Sequence, residues 1–165
     1  VRSSVIIVRA EVEDFEQVAS LLEEARAWLH ARGIQQWVTP YPRELVAQEI
    51  ERGEVYLAYI DGELAGTLTL QWSDEETWGK VADDAGYVHR LVTRRKFAAR
   101  GLGLRLLRWA EETAASGGKK FLRLDCWAGN AVLCCYYESA GFQSRGVRQI
   151  RHWQIHLFEK ALMPA

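Results

Sequence analysis

The chain has 165 residues, 48% hydrophobic and 26% charged, which suits one domain, 1–165, with a substantial core. Its formal net charge is −1, so bulk attraction to nucleic acid or to a membrane surface is not expected. No apolar run approaches the length of a membrane span, and Val1 to Arg9 does not read as a signal peptide, so a cytoplasmic protein is expected.

Val5 to Arg9 reads as a short strand. Asp14 with Gln17 resembles a capping box, and Val18, Leu21, Leu22, Ala25, Trp28 and Leu29 follow with helical spacing until Gly33 stops the helix. Ile34 to Tyr41 reads as a loop. Pro42 suits a first helical position, and a second helix runs to Gly53. Val55 to Ile60 and Leu64 to Trp72 form a hairpin around the Asp61-Gly62 turn, with Leu64, Leu68, Leu70 and Trp72 on one face.

Ser73 to Asp84 reads as an acidic loop and Tyr87 to Thr93 as a strand. Leu102 to Ser116 is a helix ended by Gly117-Gly118. Phe121 to Trp127 is a strand with Leu122, Leu124 and Cys126 on one face. Asn130 to Ala140 is a helix closed by Gly141, and Phe142 to Gln149 and His152 to Phe158 are the last strands. The order β-α-α-β-β-β-α-β-α-β-β implies an α/β layer architecture. Cys126, Cys134 and Cys135 are too few for a disulfide framework. They read as buried, packing thiols in a reducing compartment. No His/Cys/Asp grouping has metal spacing, so no metal is expected.

One stretch points to a ligand. Leu91-Val92-Thr93 ends an extended run, and Arg100-Gly101-Leu102-Gly103-Leu104 turns directly into a helix. The glycines let the backbone close on an anion, and the amides of the first helical turn point at it. Between Ala85 and Ala110 there are seven basic residues, Arg90, Arg94, Arg95, Lys96, Arg100, Arg105 and Arg108, and no acid. That suits a ligand with several phosphates; a solvated basic loop beside a helix cap is the plainer alternative.

A second signal follows about thirty residues on: Asn130, Leu133, Tyr137 and Gly141-Phe142. Together the two stretches resemble the motifs of the GNAT N-acetyltransferase superfamily. The first matches from Leu91 to Leu107, with Ala98 where that pattern has Arg or Gln; the second matches at every spacing from Asn130 to Phe142. The resemblance implies the GNAT acyl-CoA N-acyltransferase fold, an α/β (α+β) fold. Its central, mostly antiparallel sheet is flanked by helices and splayed between the strands at 87–93 and 121–127. It further implies acetyl-CoA as co-substrate, with amides of Arg100 to Leu104 on the pyrophosphate. The main chain of Leu91, Val92 and Thr93 would then lie along pantetheine, with Asn130 near the cofactor.

The activity the resemblance implies is N-acetyl transfer to a primary amine of a small molecule, by direct transfer without a cysteine nucleophile. Tyr137 falls at the position of the general acid, with an aromatic core residue as the plainer reading, and the spacing assigns neighbouring Tyr136 to packing. His89 is similar in position to a strand histidine used as base by arylalkylamine acetyltransferases; Glu63, Glu75 and His152 stay open. The acceptor side is expected from the first two helices and the loop before the central strand. These carry Trp28, Gln35, Gln36, Trp37, Tyr41, Trp72 and Trp78 with Asp74, Glu75, Glu76, Asp83 and Asp84. That set suits a small cation, or is merely solvated. A non-catalytic acyl-CoA-binding sensor and a protein or peptide N-acetyltransferase are the alternatives. A homodimer through Trp153, Ile155 and Leu157 is possible on the same resemblance, and those residues equally suit a core.

Overall fold

A computed structural model of the chain describes residues 3–37 and 40–165. Two positions of the expected Ile34 to Tyr41 loop, Val38 and Thr39, lie outside the described residues. The strands are β1 (Val5–Arg9), β2 (Val55–Ile60), β3 (Glu63–Gln71), β4 (Ala85–Thr93), β5 (Phe121–Trp127), β6 (Gln143–Ile150) and β7 (Trp153–Ala161). The helices are α1 (Phe15–Ala31), α2 (Arg43–Glu51), α3 (Glu75–Trp78), α4 (Leu102–Ser116) and α5 (Ala131–Ser139). The sheet has seven strands in the order β1-β2-β3-β4-β5-β7-β6. The β4–β5 ladder is parallel, and the β1–β2, β2–β3, β5–β7 and β6–β7 ladders are antiparallel. This is the mixed, mostly antiparallel sheet expected.

The chain forms two compact units. The first holds Val1–Leu70 and Arg90–Leu106; the second holds Gln71–His89 and Leu107–Ala165. Both β4 and α4 therefore contribute residues to each.

In the first unit Val18, Leu21 and Leu22 of α1 pack with Val46 and Ile50 of α2 and with Val55, Leu57 and Val92 of the sheet. The i, i+3, i+4 spacing that marks α1 in the sequence is the stripe that this core buries. The start of α1 differs from expectation. Glu11 and Asp14 form the capping box around a 3₁₀ turn at Val12–Asp14, with the Glu11 amide donating to Asp14 Oδ2 at 2.9 Å. Gln17 instead donates to Asp14 Oδ1 at 3.2 Å. Asp61 and Gly62 both take positive φ, 50° and 82°, the backbone of a tight hairpin turn. In β3 residues 65 to 70 are all buried, whereas Trp72 is 43% exposed. The single apolar face expected there is thus replaced by burial on both faces, a pattern that alternation cannot signal.

In the second unit Gly86 permits close packing: a Cβ there would lie 3.2 Å from Ala114 Cβ of α4 and 3.4 Å from Leu122 Cδ1 of β5. A polar cluster is buried beside it. Arg123 donates to Glu159 at 2.8 Å and to the Tyr87 hydroxyl at 2.8 Å, and Arg145 donates to Glu159 at 2.6 Å. The acidic loop is not wholly irregular, because Asp74 caps the short α3, accepting from the Thr77 amide at 3.2 Å. Such a four-residue turn carries no hydrophobic period and escapes pattern reading.

Candidate active site

The first unit holds the glycine turn. Gly101 has φ 72°, and the Arg105 amide is the first to close back, on the Gly101 carbonyl at 3.1 Å. The amides of Gly101, Leu102, Gly103 and Leu104 precede that bond, so they face outward from the helix end by geometry. The Arg100 amide is used differently from expectation: it donates to the Phe97 carbonyl at 3.3 Å.

Three of the seven basic residues are paired with acids. Arg90 forms a buried ion pair with Glu49, Arg94 lies 3.5 Å from Glu24, and Lys96 donates to Glu63 at 2.6 Å. Arg95 stacks over Trp28 at 4.0 Å. Arg100, Arg105 and Arg108 remain exposed, and they are the three that border the turn or follow it on α4.

The end of β4 is also in this unit. An ideal Cβ on Gly66 would lie 2.6 Å from the Val92 carbonyl oxygen, and the Arg94 amide donates to the Ala65 carbonyl at 2.8 Å. Val92 and Arg94 thus turn their main-chain groups toward β3. Strand alternation turns those of Leu91 and Thr93 to the opposite edge. The Val92 side chain, 5% exposed, belongs to the core.

Arg90 takes φ 48° between His89 and Leu91. A left-handed residue breaks the pleat, so the strict alternation that would set these two on one face does not hold across it. A cavity of about 210 Å³ lies between α1 and α2, lined by Phe15, Leu22, Tyr41 and Val46 with Arg26 and Arg43.

The second unit holds His89, Asn130 and Tyr137. The β4–β5 ladder ends at Val88↔Leu124, although both strands continue. His89 and Asp125 are the next residues of each strand. His89 Nε2 lies 3.3 Å from Asp74 Oδ2, and His89 Nδ1 lies 4.0 Å from Asp125 Oδ1. Burial works to raise the Asp74 carboxyl, but His89 and the Thr77 amide outweigh it and hold Asp74 below its ordinary pKa. Asp125 goes the other way. Burial, opposed by His89 and reinforced by the Asp74 charge, raises it to about 6.

The ligand atoms of Asp74, His89 and Asp125 lie within 4.8 Å of one another, close enough for a cation. The carboxylates face different ring nitrogens, however. That arrangement suits proton sharing better than convergence on one ion.

Asn130 caps α5, its Oδ1 accepting from the Leu133 amide at 3.1 Å. Tyr137 is 6% exposed and its ring packs against Tyr136, Phe142 and Phe158. Burial, then the neighbouring Cys126 and Asp125, push its phenol pKa up, so it keeps its proton at neutral pH. Tyr137 is thus the buried member of the pair and Tyr136 the half-buried one, its ring edge-on to that of Tyr137.

Cys126 and Cys134 face each other at 3.4 Å between sulfurs, and His156 Nδ1 lies 3.6 Å from Cys134. Burial raises the Cys126 thiol, which fits packing, but Cys135 is exposed rather than buried as expected. The aromatic and acidic residues expected at the acceptor are largely engaged within the chain. Arg32 and Arg95 cover Trp28, Lys119 holds Asp83, and Arg123 lies near Asp84 and Trp78.

Sequence reading missed Asp125. Its signal is an acid in the midst of a strand whose alternate residues, Leu122, Leu124 and Cys126, are all buried.

The Acetyltransferase (GNAT) family matches residues 18–142, which contain both the glycine turn and the Asn130 to Phe142 motif. The chain belongs to the GNAT acetyltransferase family. It is therefore an N-acetyltransferase. It is 34% identical over 162 residues to YesJ, an uncharacterized N-acetyltransferase of Bacillus subtilis, covering 93% of this chain and 88% of that one. A GNAT-family acetyltransferase of Listeria monocytogenes superposes with a TM-score of 0.83 at 28% identity, covering 96% of this chain and 95% of that one. The PaiA N-acetyltransferase of Thermoplasma acidophilum, solved in complex with coenzyme A, shares the fold at a TM-score of 0.72 and 23% identity, covering 96% and 99%. Among the described residues no helix is long and apolar enough to cross a membrane.

Proposed function

We propose that this acetyltransferase moves the acetyl group of acetyl-CoA to the primary amine of a small molecule by direct transfer. The observation that carries the reading is the His89 ring, aimed from its Nε2 side by Asp74. With the Nε2 proton directed at the carboxylate, the Nδ1 lone pair is the base. His89 takes a proton from the acceptor ammonium, and the freed lone pair forms the new C–N bond at the thioester carbonyl. The C–S bond then breaks, Tyr137 protonates the departing thiolate, and the phenolate left behind takes the second proton that the nitrogen sheds on becoming an amide.

The residues of the glycine turn fit the cofactor's phosphates. The amides of Gly101 to Leu104 stand at a helix N-terminus whose dipole favours anions, and Arg100 and Arg105 are exposed beside them. That a neighbour in fold was solved with coenzyme A supports acetyl-CoA as the co-substrate.

The test is thiol release from acetyl-CoA with a panel of polyamines, aminoglycosides, amino acids and short peptides. Amine-dependent release is expected for wild type, with a pH–rate profile that changes in His89→Gln. No release with any amine would sink the reading, and release with peptides alone would move the acceptor to proteins.

A further inference from the structure

The acidic loop before β4 carries the charge a cationic acceptor would need, but that charge is largely spent within the chain. Lys119 bonds Asp83 at 2.6 Å, Arg123 lies 3.7 Å from Asp84, and Arg151 lies 3.2 Å from Glu76. Asp125 is different. The charges that act on it are those of His89 and Asp74, with no lysine or arginine among them. It stands on β5 one residue past the last rung of the β4–β5 ladder, 21% exposed, opposite a His89 ring that is 21% exposed.

We propose that Asp125 is a catalytic residue: its Oδ1 and His89 Nδ1 together receive the ammonium group of the acceptor, and Asp74 is the positioning residue that aims the ring. This rests on the acetyl-transfer reading above. The 4.0 Å between Oδ1 and Nδ1 is too long for a direct hydrogen bond. An ammonium nitrogen at about 2.9 Å from each atom offers both of them an N–H bond. A primary ammonium has donors for both acceptors, a third N–H to spare and one bond for its carbon chain.

The proton count closes. The ammonium N–H bond breaks and its proton goes to Nδ1. The ring becomes an imidazolium held between the Asp74 and Asp125 carboxylates, and the nitrogen lone pair is free to attack. Once the C–N bond forms, the nitrogen sheds its second proton to the Tyr137 phenolate left by protonation of the thiolate, and the first proton leaves the ring for water.

Protonation of Asp125 removes the anion that draws the ammonium in. Two charged groups bear on that titration, His89 on β4 and Asp74 before α3; Cys126 beside it on β5 and Tyr137 on α5 are held neutral by their own raised pKa. From β7 the residue opposite is the apolar Leu157. Ionised above about pH 6, Asp125 is charged at neutral pH, the state that binding an ammonium needs.

The experiment compares wild type, Asp125→Asn, Asp125→Glu and Asp74→Asn, using acetyl-CoA and the panel amine with the highest kcat/KM. In wild type, kcat/KM for the amine rises with pH through a limb near 6. Asp125→Asn is expected to lose about 100-fold in that parameter and to shift the limb, with KM for acetyl-CoA unchanged. Asp125→Glu recovers part of the loss. Asp74→Asn lowers kcat more than it alters the amine KM, and moves the limb.

Calorimetry of the same amine on enzyme saturated with coenzyme A gives a readout without turnover, and Asp125→Asn is expected to bind at least about tenfold more weakly. A thermal melt establishes that each variant is folded. Wild-type amine kinetics and affinity in a folded Asp125→Asn would overturn the proposal while leaving acetyl transfer intact. An equal loss in the acetyl-CoA KM would also overturn it, by marking a structural role. Absence of amine-dependent release from wild type would overturn the acetyl-transfer reading and this proposal with it.

Discussion

Asp74 joins a helix cap to the proposed base: one carboxylate oxygen accepts the Thr77 amide at 3.2 Å, and the other lies 3.3 Å from His89 Nε2. The side chain is only 10% exposed. Removing it should therefore act on stability and on the base together. Asp74→Ala leaves the α3 cap empty and His89 without its partner, at about 1–3 kcal/mol by urea unfolding. Asp74→Asn still caps and should be milder. Because the folded-state pKa of Asp74 is lowered, its contribution is present above the ordinary carboxylate range and is lost as pH falls through the folded value. A loss for Asp74→Ala that is as large at pH 3 as at pH 7 would contradict this.

Asp125 has the opposite sign. Its pKa rises from 3.8 to about 6 on folding, so ionising it in the folded chain costs about 3 kcal/mol. At low pH both states are protonated and the penalty vanishes; it grows as pH rises through the ordinary value and is complete above about 6. Asp125→Asn, which cannot ionise, should stabilise the protein by up to about 3 kcal/mol at pH 8 and by little at pH 3.5. Denaturant melts at both pH values check it. Gain of stability with loss of turnover is what a strained functional residue shows.

The outline of the fold was legible because its signals are local. Gly33 and Gly53, with φ 68° and 72°, end α1 and α2 where the sequence places their stops, and β2 and β5 begin and end at the expected residues. What was not legible depends on residues distant in sequence. Whether Arg90, Arg94 and Lys96 are free for phosphate turns on Glu49, Glu24 and Glu63, which lie about thirty to seventy positions away. The left-handed Arg90 has no compositional mark, since arginine does not favour that region. Asp125 stood in an apolar strand with nothing nearby in sequence to name His89 as its neighbour.

Gly101 tests the phosphate cradle. Its φ of 72° disfavours any side chain, although an added Cβ meets nothing within 4 Å. Gly101→Val is expected to strain the turn by about 1–2 kcal/mol and to misalign the amides behind it. Calorimetry with acetyl-CoA should show at least about a tenfold loss of affinity. Unchanged affinity in a folded variant would remove the turn from the cofactor assignment.

Gly66 tests the end of β4. A Cβ there would lie 2.6 Å from the Val92 carbonyl oxygen and 3.4 Å from Leu102 Cδ2, and backbone cannot yield as a flexible side chain can. Gly66→Ala should push the Val92 peptide away from β3 at about 1–3 kcal/mol. Since Leu91 and Thr93 flank that peptide, acetyl-CoA affinity should fall with stability. A loss of stability alone would show that the Leu91 to Thr93 main chain does not hold the ligand.

Glu159 is 8% exposed and receives two arginines, Arg123 at 2.8 Å and Arg145 at 2.6 Å. Burial works to raise its pKa, and the two guanidinium groups outweigh it and bring it below the ordinary value. Arg123 is itself 9% exposed and also donates to the Tyr87 hydroxyl. Glu159→Gln would leave that guanidinium with only Asp84, 3.7 Å away, as its anion, at somewhat less than about 3–5 kcal/mol, the cost of a fully unpaired buried charge. Arg145, 50% exposed, can turn to water, so Arg145→Gln should cost about 1 kcal/mol or less. The Glu159 contribution is present above the ordinary carboxylate range and fades as pH falls through its folded pKa, so the gap between wild type and Glu159→Gln should narrow in acid. Urea melts of both variants at pH 7 and pH 3 separate the cases. Equal losses for Glu159→Gln and Arg145→Gln would place the energy in the exposed pair rather than in the buried one.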